Sequence, residues 1–291
     1  MNRRRATIIG FAAILMWANL ALLSDASGAV PPFQLAAMTF LIGSLPGFIS
    51  RWRNPAPSPL PTDWRVWALG VGGLFGYHFV YFSAMRAAPA VEVSLIAYLW
   101  PLLLVVFSGL LPGERLRLHH LAGALLGLAG AVLIITKAGT YWPKSLEAGH
   151  VLALAGAIIW AGYSVLTRRF GETPTDIVGL FCAITSGLSL ICHLLFEVTV
   201  WPADGVQWLA VLGLGILPVG FAFYAWDYGV KHGDIIVLGA ASYSAPLMST
   251  LLLALAGSTV LSLNIAMACL LITLGAVIAA KDMLFARKAA A

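Results

Sequence analysis

Apolar stretches of about 18 or more residues recur along the whole of this chain, and no other feature limits its fold as strongly. A helix needs about 20 residues to cross the hydrocarbon core of a bilayer, so each stretch predicts a transmembrane helix. The composition agrees, because 60% of the 291 residues are hydrophobic and only 10% are charged, whereas soluble domains carry about 25% charged residues. The stretches are too long, and alternate too little, for barrel strands. An all-α integral membrane protein is therefore predicted.

The apolar stretches place ten predicted transmembrane helices. Their bounds are 7–25, 31–50, 64–87, 91–111, 118–137, 148–168, 175–198, 206–230, 235–256 and 262–283. The three cysteines, Cys182, Cys192 and Cys269, all fall inside these stretches. An odd number without C-x-x-C spacing favours small packing residues over disulfides or a zinc site. No metal and no cofactor is predicted.

Lysine and arginine are distributed unevenly between the two sides of the ten predicted helices. If the N-terminus is cytoplasmic, 14 of the 17 basic residues lie in inner segments and only Arg86, Lys137 and Lys144 lie in outer ones. The inner residues are Arg3, Arg4, Arg5, Arg51, Arg53, Arg65, Arg115, Arg117, Arg168, Arg169, Lys231, Lys281, Arg287 and Lys288. This distribution predicts that both termini are cytoplasmic. The net charge of +5 is thus an orientation signal and does not indicate a nucleic-acid partner.

The two halves of the chain resemble each other. A-A-I-L-M-W-A at 12–18 matches A-G-A-I-I-W-A at 155–161, an offset of 143. G-A-V-L-I at 130–134 matches G-A-V-I-A at 275–279 with an offset of 145, which also relates Tyr98 and Pro101 to Tyr243 and Pro246. Five helices per half is an odd number, so the second half must run opposite to the first. The pattern predicts two inverted five-helix repeats, 1–140 and 141–291, as in secondary transporters with a central substrate site.

The order of these motifs resembles the EamA-type transporters of the drug/metabolite transporter superfamily. The resemblance rests on W-A in the first helix of each half, a proline within each fourth helix, and L-P-G-E-R-L at 111–116 before a glycine-rich helix. It covers nearly the whole chain. Within the family, the aromatic content of the helices is most similar to the YddG-type exporters of aromatic amino acids. The resemblance implies a monomer in a bacterial inner membrane.

Polar and ionisable side chains at membrane depth are costly and usually face a bundle interior or a cavity. His78 lies ~21 Å along the third helix, where Tyr77, Tyr81 and Met85 share its side. A cavity-lining role is favoured over a neutral histidine bonded to a neighbouring helix, which stays open. Three glycines, Gly72, Gly73 and Gly76, share the opposite side and are expected to pack against another helix.

Of the 12 acidic residues, Asp227 is the one placed inside a predicted span, and the others lie in loops or at the ends of spans. An i,i+4 ion pair with Lys231 explains it, and a role in gating or ion coupling is the alternative.

Two prolines at equivalent points of the repeats each free a helical carbonyl, and broken helices in transporters use such groups near the substrate. Pro101 and Pro246 are therefore candidate kink or gating residues. Aromatic and polar residues near them or deep in other helices suggest a cavity for a flat, partly apolar solute. The candidate substrate-binding residues are Trp17, Asn19, Tyr77, His78, Tyr81, Tyr98, Trp100, Trp160, Tyr163, Tyr224, Ser242, Tyr243 and Ser244.

These features favour a secondary transporter that exports small amphiphilic metabolites, with aromatic and other neutral amino acids as the expected substrates. No H-E-x-x-H, P-loop or Ser/His/Asp set is present, so an enzyme is not expected. A multidrug or lipid-linked carrier of the same superfamily, or a membrane sensor or scaffold without flux, are the alternatives. Uniport and proton antiport through His78 both remain open.

Overall fold

The computed structural model describes residues 2–55, 59–136, 146–255 and 263–282, and all regular structure in these ranges is helical. We number ten segments in chain order. They are α1 (Arg3–Ala26), α2 (Pro32–Arg53), α3 (Trp64–Ala87), α4 (Ala90–Ser108), α5 (Leu118–Ile135), α6 (Ala148–Phe170), α7 (Thr175–Phe196), α8 (Gly205–His232), α9 (Ile235–Ala241 followed by Ser244–Leu255) and α10 (Leu263–Ala279).

The lengths and composition of these segments fit a membrane. Within the described ranges, eight helices are long and apolar enough to cross one, and α9 makes a ninth if its two bent pieces form one span. The segment α10 is a shorter apolar helix of 17 residues. The prediction of an all-helical, multi-span membrane protein is confirmed. The predicted repeat boundary at 140/141 and the basic residues Lys137, Lys144, Arg287 and Lys288 lie outside the described residues.

Five of the segments are interrupted or widened within their length, while α6 ends and α7 begins with a short 3-10 turn. The first helix is interrupted between Trp17 and Leu20. A π-helical turn widens α3 at Gly72–Gly76, and another widens α8 at Leu217–Phe221. Two further breaks divide α4 between Ala97 and Trp100, and α9 between Ala241 and Ser244. Pro218 gives a local reason for the turn in α8, because proline has no N–H and clashes with the carbonyl one turn earlier.

Helices from the first half pack against helices from the second. The contacting pairs include α1 with α8, α2 with α7, α3 with α6, α4 with α9 and α5 with α10, and α4 also packs against α6. Glycine permits the closest of these approaches: a methyl group built on Gly123 of α5 would lie 2.5 Å from the carbonyl oxygen of Gly275 in α10. Gly28, with φ of 75°, adopts the left-handed conformation that favours glycine and turns the chain from α1 towards α2.

The predicted glycine face of α3 is wrong in part. Gly73 packs against the ring of Tyr163 in α6, so a side chain there would collide with it. A methyl group built on Gly72 or Gly76 would instead meet nothing within 4 Å. The π-helical turn changes the number of residues per turn, and the three glycines therefore do not share a packed face.

Candidate functional site

A cavity of about 590 Å³ lies between the two halves of the bundle. Its lining runs from Trp17, midway along α1, to Gly28 and Pro32 where α1 gives way to α2. We call the end of the bundle that carries residues 27–31 the cavity face, and the end that carries Arg3 the N-terminal face. Gly28 is exposed at the cavity face, so the cavity is reached from that end.

Aromatic rings form the floor of the cavity. The rings of Trp17 and Trp160 have centroids 5.7 Å apart, and those of Trp17 and Trp100 are 6.4 Å apart. The Trp17 Nε1–H donates to the Pro218 carbonyl at 3.0 Å, a carbonyl of the π-helical turn in α8. Trp226 lies 5.1 Å from Trp17 and is fully buried, on the side away from the cavity. The floor is therefore a closed aromatic layer shared by both halves.

One wall of the cavity comes from the part of α3 beyond its π-helical turn. Tyr77 and Tyr81 stack with ring centroids 5.8 Å apart, and the His78 ring lies 4.9 Å from that of Phe40 in α2. Phe40 in turn stacks on Phe223 of α8 at 5.6 Å. The π-helical turn thus leads into a continuous aromatic surface that contains one histidine.

The tautomer of His78 follows from its hydrogen bond. Its Nδ1 lies 2.7 Å from the carbonyl oxygen of Leu74, one turn earlier in the same helix. A carbonyl only accepts, so Nδ1 carries the proton and Nε2 of neutral His78 is an acceptor. Both interpretations of His78 therefore apply in part, since the side chain lines the cavity and is also hydrogen-bonded, although to its own helix.

Hydroxyl groups interrupt the aromatic walls. Ser24, Thr39, Ser94 and Ser249 line the cavity, and Ser94 lies beside the Tyr81 hydroxyl. The Thr39 hydroxyl donates to the Leu35 carbonyl at 2.8 Å, leaving its lone pairs for a ligand. The arrangement of large apolar walls with a few polar groups is typical of small-molecule sites.

The structure brings about half of the candidate substrate-binding residues together. Those that line the cavity are Trp17, Tyr77, His78, Tyr81, Tyr98, Trp100 and Trp160. Those that do not line it are Asn19, Tyr163, Tyr224, Ser242, Tyr243 and Ser244.

Two of the tyrosines outside the cavity satisfy backbone groups next to a proline inside a helix, Pro46 in α2 and Pro101 in α4. The Tyr224 hydroxyl accepts from the Gly47 N–H at 2.9 Å and donates to the Gly43 carbonyl at 3.0 Å, so it stands between two groups of α2. The hydroxyl of Tyr243 accepts from the Leu102 N–H at 3.1 Å. Both hydroxyls thus form hydrogen bonds with backbone groups that have no water to bond to in a membrane interior.

The break in α4 explains why Leu102 needs that partner. The first piece of α4 ends at Ala97, and the second begins at Trp100, directly before Pro101. In α9 the first piece ends at Ala241 and the second begins at Ser244, and the two pieces are bent by 41° relative to each other. Neither Pro101 nor Pro246 lines the cavity, and each lies within two residues of the point where its helix resumes.

The three short polar candidates bond to their own helices. Asn19 Nδ2 donates to the Leu15 carbonyl at 3.0 Å, where α1 is interrupted. The Ser242 hydroxyl donates to the Leu238 carbonyl at 2.8 Å, and that of Ser244 donates to the Ala241 carbonyl at 2.7 Å. The Leu15 and Ala241 carbonyls lose their backbone donors at the helix breaks, whereas the Leu238 carbonyl also accepts from the Ser242 N–H at 3.0 Å.

Asp227 and Lys231 form the ion pair that their spacing indicates. Nζ of Lys231 lies 2.9 Å from Asp227 Oδ2, and each side chain is 2% exposed. The same oxygen accepts from the Thr175 hydroxyl at 2.7 Å, and Lys231 also donates to the Thr173 carbonyl at 2.8 Å. The pair therefore links α8 to the start of α7 near the N-terminal face.

A second ionic cluster closes the N-terminal face. Glu114, in the loop before α5, pairs with Arg3 at 2.9 Å and with Arg168 at 2.8 Å. Arg3 also pairs with Asp234 at 3.2 Å, and Asp234 caps the start of α9. The cluster joins both halves on the side of the floor opposite the open cavity.

At the cavity face, Glu197 joins three helices. Its carboxylate accepts from the backbone N–H groups of Phe33 and Gln34 at 3.1 Å each, as a cap at the start of α2. It also pairs with Arg86 at the end of α3 and with His193 in α7, at 2.8 and 3.0 Å. The side chain is 2% exposed, so this cluster fixes the rim of the cavity.

One group of side chains near the N-terminal face has metal-ligand character. Ligand atoms of His119, His120 and Asp282 lie within 4.8 Å of one another. Asp282 already pairs with Arg117 at 2.8 Å, and His120 Nδ1 accepts from the Arg117 N–H. These contacts explain why the three side chains lie together, because they link the start of α5 to the residues that follow α10.

Several cavity residues were missing from the candidates, and two had a usable signal. Ser94 lies four residues before Tyr98, so helical spacing places both on one face. Phe223 is related to His78 by the repeat offset of 145, and both line the cavity. No sequence pattern singles out Phe40 or Thr39 in α2.

The sequence model of the EamA-like transporter family matches residues 4–136 and 147–280. The aromatic amino acid exporter YddG of Ancylobacter novellus is 53% identical over 282 residues, which cover 96% of this chain and 98% of that protein. The protein with the same name in Salmonella typhimurium is 27% identical over 292 residues, covering 96% and 97%.

A solved crystal structure is also similar to this fold. It has a TM-score of 0.90 and 52% sequence identity, and the match covers 96% of this chain and 99% of that one. The named relatives are exporters rather than enzymes.

Proposed function

This chain belongs to the EamA-like transporter family, and on that premise we propose that it exports aromatic and other neutral amino acids by alternating access. The observation that most strongly supports this proposal is the cavity of about 590 Å³ with aromatic walls between the two halves. Ligand sites usually measure about 300–1,000 Å³, so the volume suits an amino acid with a large side chain. A similar protein with 53% identity carries the name aromatic amino acid exporter.

The chemistry of the lining supports this substrate class. Flat apolar side chains stack on Trp17, Trp100 and Trp160. An α-ammonium group is attracted to the same ring faces and can also donate to the lone pairs of the Thr39 hydroxyl, whereas the Ser94 hydroxyl can donate to a carboxylate.

We propose further that the chain has ten transmembrane helices in two inverted repeats, 1–140 and 141–291. The family model matches once in each half. The π-helical turns at Gly72–Gly76 and Leu217–Phe221 are related by an offset of 145. The breaks in α4 and α9 are related by 144, since pieces resume at Trp100 and Ser244.

The proposed setting is a bacterial inner membrane, with both termini cytoplasmic. The distribution of basic residues supports it, because they concentrate on the side of the N-terminal face. In this orientation the cavity faces outward. Large apolar side chains such as Ile8, Leu41 and Leu209 are exposed for contact with lipid. One chain lines the whole cavity, which supports a monomer as the working unit.

The proposed transport does not require a proton gradient. Asp227 is paired with Lys231, and the Nδ1 proton of His78 is held by a backbone carbonyl. We therefore propose facilitated exchange. Substrate uptake into vesicles, measured with and without a pH gradient, distinguishes facilitated exchange from proton antiport. Accumulation driven by the gradient in the native protein, lost in His78→Ala, would establish antiport instead.

Counterflow into liposomes that contain the purified protein tests the substrate class. Labelled phenylalanine, tyrosine and tryptophan are expected to accumulate transiently in liposomes preloaded with the same amino acid. Uptake of hydrophobic cations or lipids without these amino acids would indicate a multidrug or lipid-linked carrier. Binding without any flux would indicate a sensor or scaffold.

A further inference from the structure

We propose that an exposed basic corner of the N-terminal face binds the headgroup of an anionic phospholipid in the leaflet on that side. The basic corner consists of Arg115 and Arg117, in the loop before α5, and Lys281, after the end of α10, and all three residues are exposed. None of the three lines the cavity, so the inference goes beyond the proposed export of amino acids and does not depend on it.

An ion pair joins the two parts of the basic corner. The Arg117 guanidinium lies 2.8 Å from Oδ2 of Asp282, and His119 Nε2 lies 3.4 Å from the same oxygen. Lys281 directly precedes Asp282 in the chain. Arg115 lies two residues before Arg117. The contact between Arg117 and Asp282 therefore holds the basic loop and the basic end of α10 next to each other.

Positive charge at the basic corner exceeds the negative charge available to neutralise it. Glu114, the acidic residue of the loop, is 8% exposed and pairs with two arginines of the neighbouring ionic cluster. Asp282 pairs with Arg117. Among the residues that the structure describes, neither Arg115 nor Lys281 has an acidic partner. Two exposed cations are thus available to a phosphate group, which accepts strong hydrogen bonds from arginine and lysine.

Exposed leucines lie directly beside these cations. The two residue types alternate in the sequence R-L-R-L at 115–118. Leu118, the first residue of α5, is 86% exposed, and Leu110, just after α4, is 77% exposed. Leu125 is also exposed, and it lies seven residues after Leu118 on the same face of α5. An apolar strip therefore runs along α5 from the basic corner into the depth of the membrane.

This combination favours a lipid over a soluble anion. A soluble phosphate would contact the cations alone and leave the leucines uncovered. A phospholipid packs its acyl chains on apolar side chains, while each lysine or arginine near the membrane surface strengthens binding of the anionic headgroup by about 5-fold. The partner that fits is therefore a phosphodiester lipid with net negative charge, such as phosphatidylglycerol.

Photo-crosslinking tests the position of the lipid. Phosphatidylglycerol with a diazirine in one acyl chain is added to the purified protein below saturation, and the labelled peptides are identified after irradiation. We expect label at the start of α5, which carries Leu118. The double variant Arg115→Gln/Lys281→Gln should lower this labelling by about 30-fold, because it removes two cations that contribute about 5-fold each.

The double variant Arg4→Gln/Arg5→Gln is the matched control. It removes two exposed charges from the same face and leaves the basic corner intact, so labelling at the start of α5 should equal that of the parent protein. Equal losses in the two double variants would overturn the proposal, because they would indicate attraction to the whole basic face. Unchanged labelling in Arg115→Gln/Lys281→Gln would also overturn it. All four positions are exposed, so both variants should fold, and gel filtration checks this.

Competition distinguishes a lipid from a soluble anion. Unlabelled phosphatidylglycerol should displace the labelled lipid. Phosphatidylcholine with the same acyl chains has no net charge, and glycerol phosphate has the phosphate group without acyl chains, so neither should compete at the same concentration. Equal competition by phosphatidylcholine would refute recognition of the negative charge. Equal competition by glycerol phosphate would refute a lipid as the partner.

Discussion

Tyr98 and Tyr243 occupy equivalent positions of the two repeats but have different contacts, so the same substitution at each should have opposite consequences. The Tyr243 hydroxyl is buried and accepts from the Leu102 N–H at 3.1 Å. Tyr98 lines the open cavity. We expect Tyr243→Phe to destabilise the fold and leave substrate affinity nearly unchanged, and Tyr98→Phe to weaken substrate affinity with little effect on stability.

The magnitudes follow from the groups involved. In Tyr243→Phe the Leu102 amide lies at the break in α4 and loses its partner, and an unsatisfied buried donor costs about 1–3 kcal/mol. In Tyr98→Phe no backbone group loses a partner among the contacts described. A substrate that loses one hydrogen bond to that hydroxyl binds less tightly by about 0.5–1.5 kcal/mol, or about 2- to 13-fold.

Two measurements on each variant check these values. Titration with sodium dodecyl sulfate gives the free energy of unfolding, and counterflow at graded phenylalanine concentrations gives the half-saturating concentration. The reasoning is refuted if Tyr243→Phe unfolds like the parent protein while its half-saturating concentration rises. It is equally refuted if Tyr98→Phe loses as much stability as Tyr243→Phe.

Two further substitutions test the packing between the halves and the rim of the cavity. Gly123→Ala places a methyl group 2.5 Å from the Gly275 carbonyl oxygen and should lower the free energy of unfolding by about 1–3 kcal/mol in the same titration. Its control is Gly162→Ala, whose methyl group meets nothing within 4 Å and which should be neutral or stabilise the protein by up to about 1 kcal/mol. Equal losses of stability in the two variants would contradict the structure. Glu197→Gln removes the charge that faces Arg86, His193 and two backbone amides, and we expect a loss of about 1.5–3 kcal/mol. Exposed Glu172→Gln is its control and should unfold like the parent protein.

The helices and the position of the cavity follow from patterns that a sequence carries. Uninterrupted apolar stretches locate the segments, because the length that crosses a bilayer is fixed by its thickness. Helical spacing gathered Tyr77, His78 and Tyr81 on one face, and all three line the cavity. Depth along the helices identified Trp17, Trp100 and Trp160, which form the floor.

The roles of the remaining aromatic and hydroxyl residues depend on long-range contacts. A buried tyrosine can face a ligand or satisfy a backbone group, and only the neighbouring helix decides which. Tyr224 pairs with α2 across 177 residues of sequence separation, and Tyr243 pairs with α4 across 141. The π-helical turn of α3 was equally hidden, because three glycines permit such a turn without requiring it.

The hydrogen bond between Trp17 and the Pro218 carbonyl joins α1 to α8 at the aromatic floor, so α1 could rotate about this contact. The part of α1 from Arg3 to Trp17 has 15 residues, so its ends are ~21 Å apart at 1.5 Å per residue. A rotation of about 10° about that contact displaces the far end by ~4 Å, within the range of rigid-body motions in proteins. The displacement exceeds the 2.9 Å that joins Arg3 to Glu114. A small rotation about this contact would therefore be enough to part the charges at the far end.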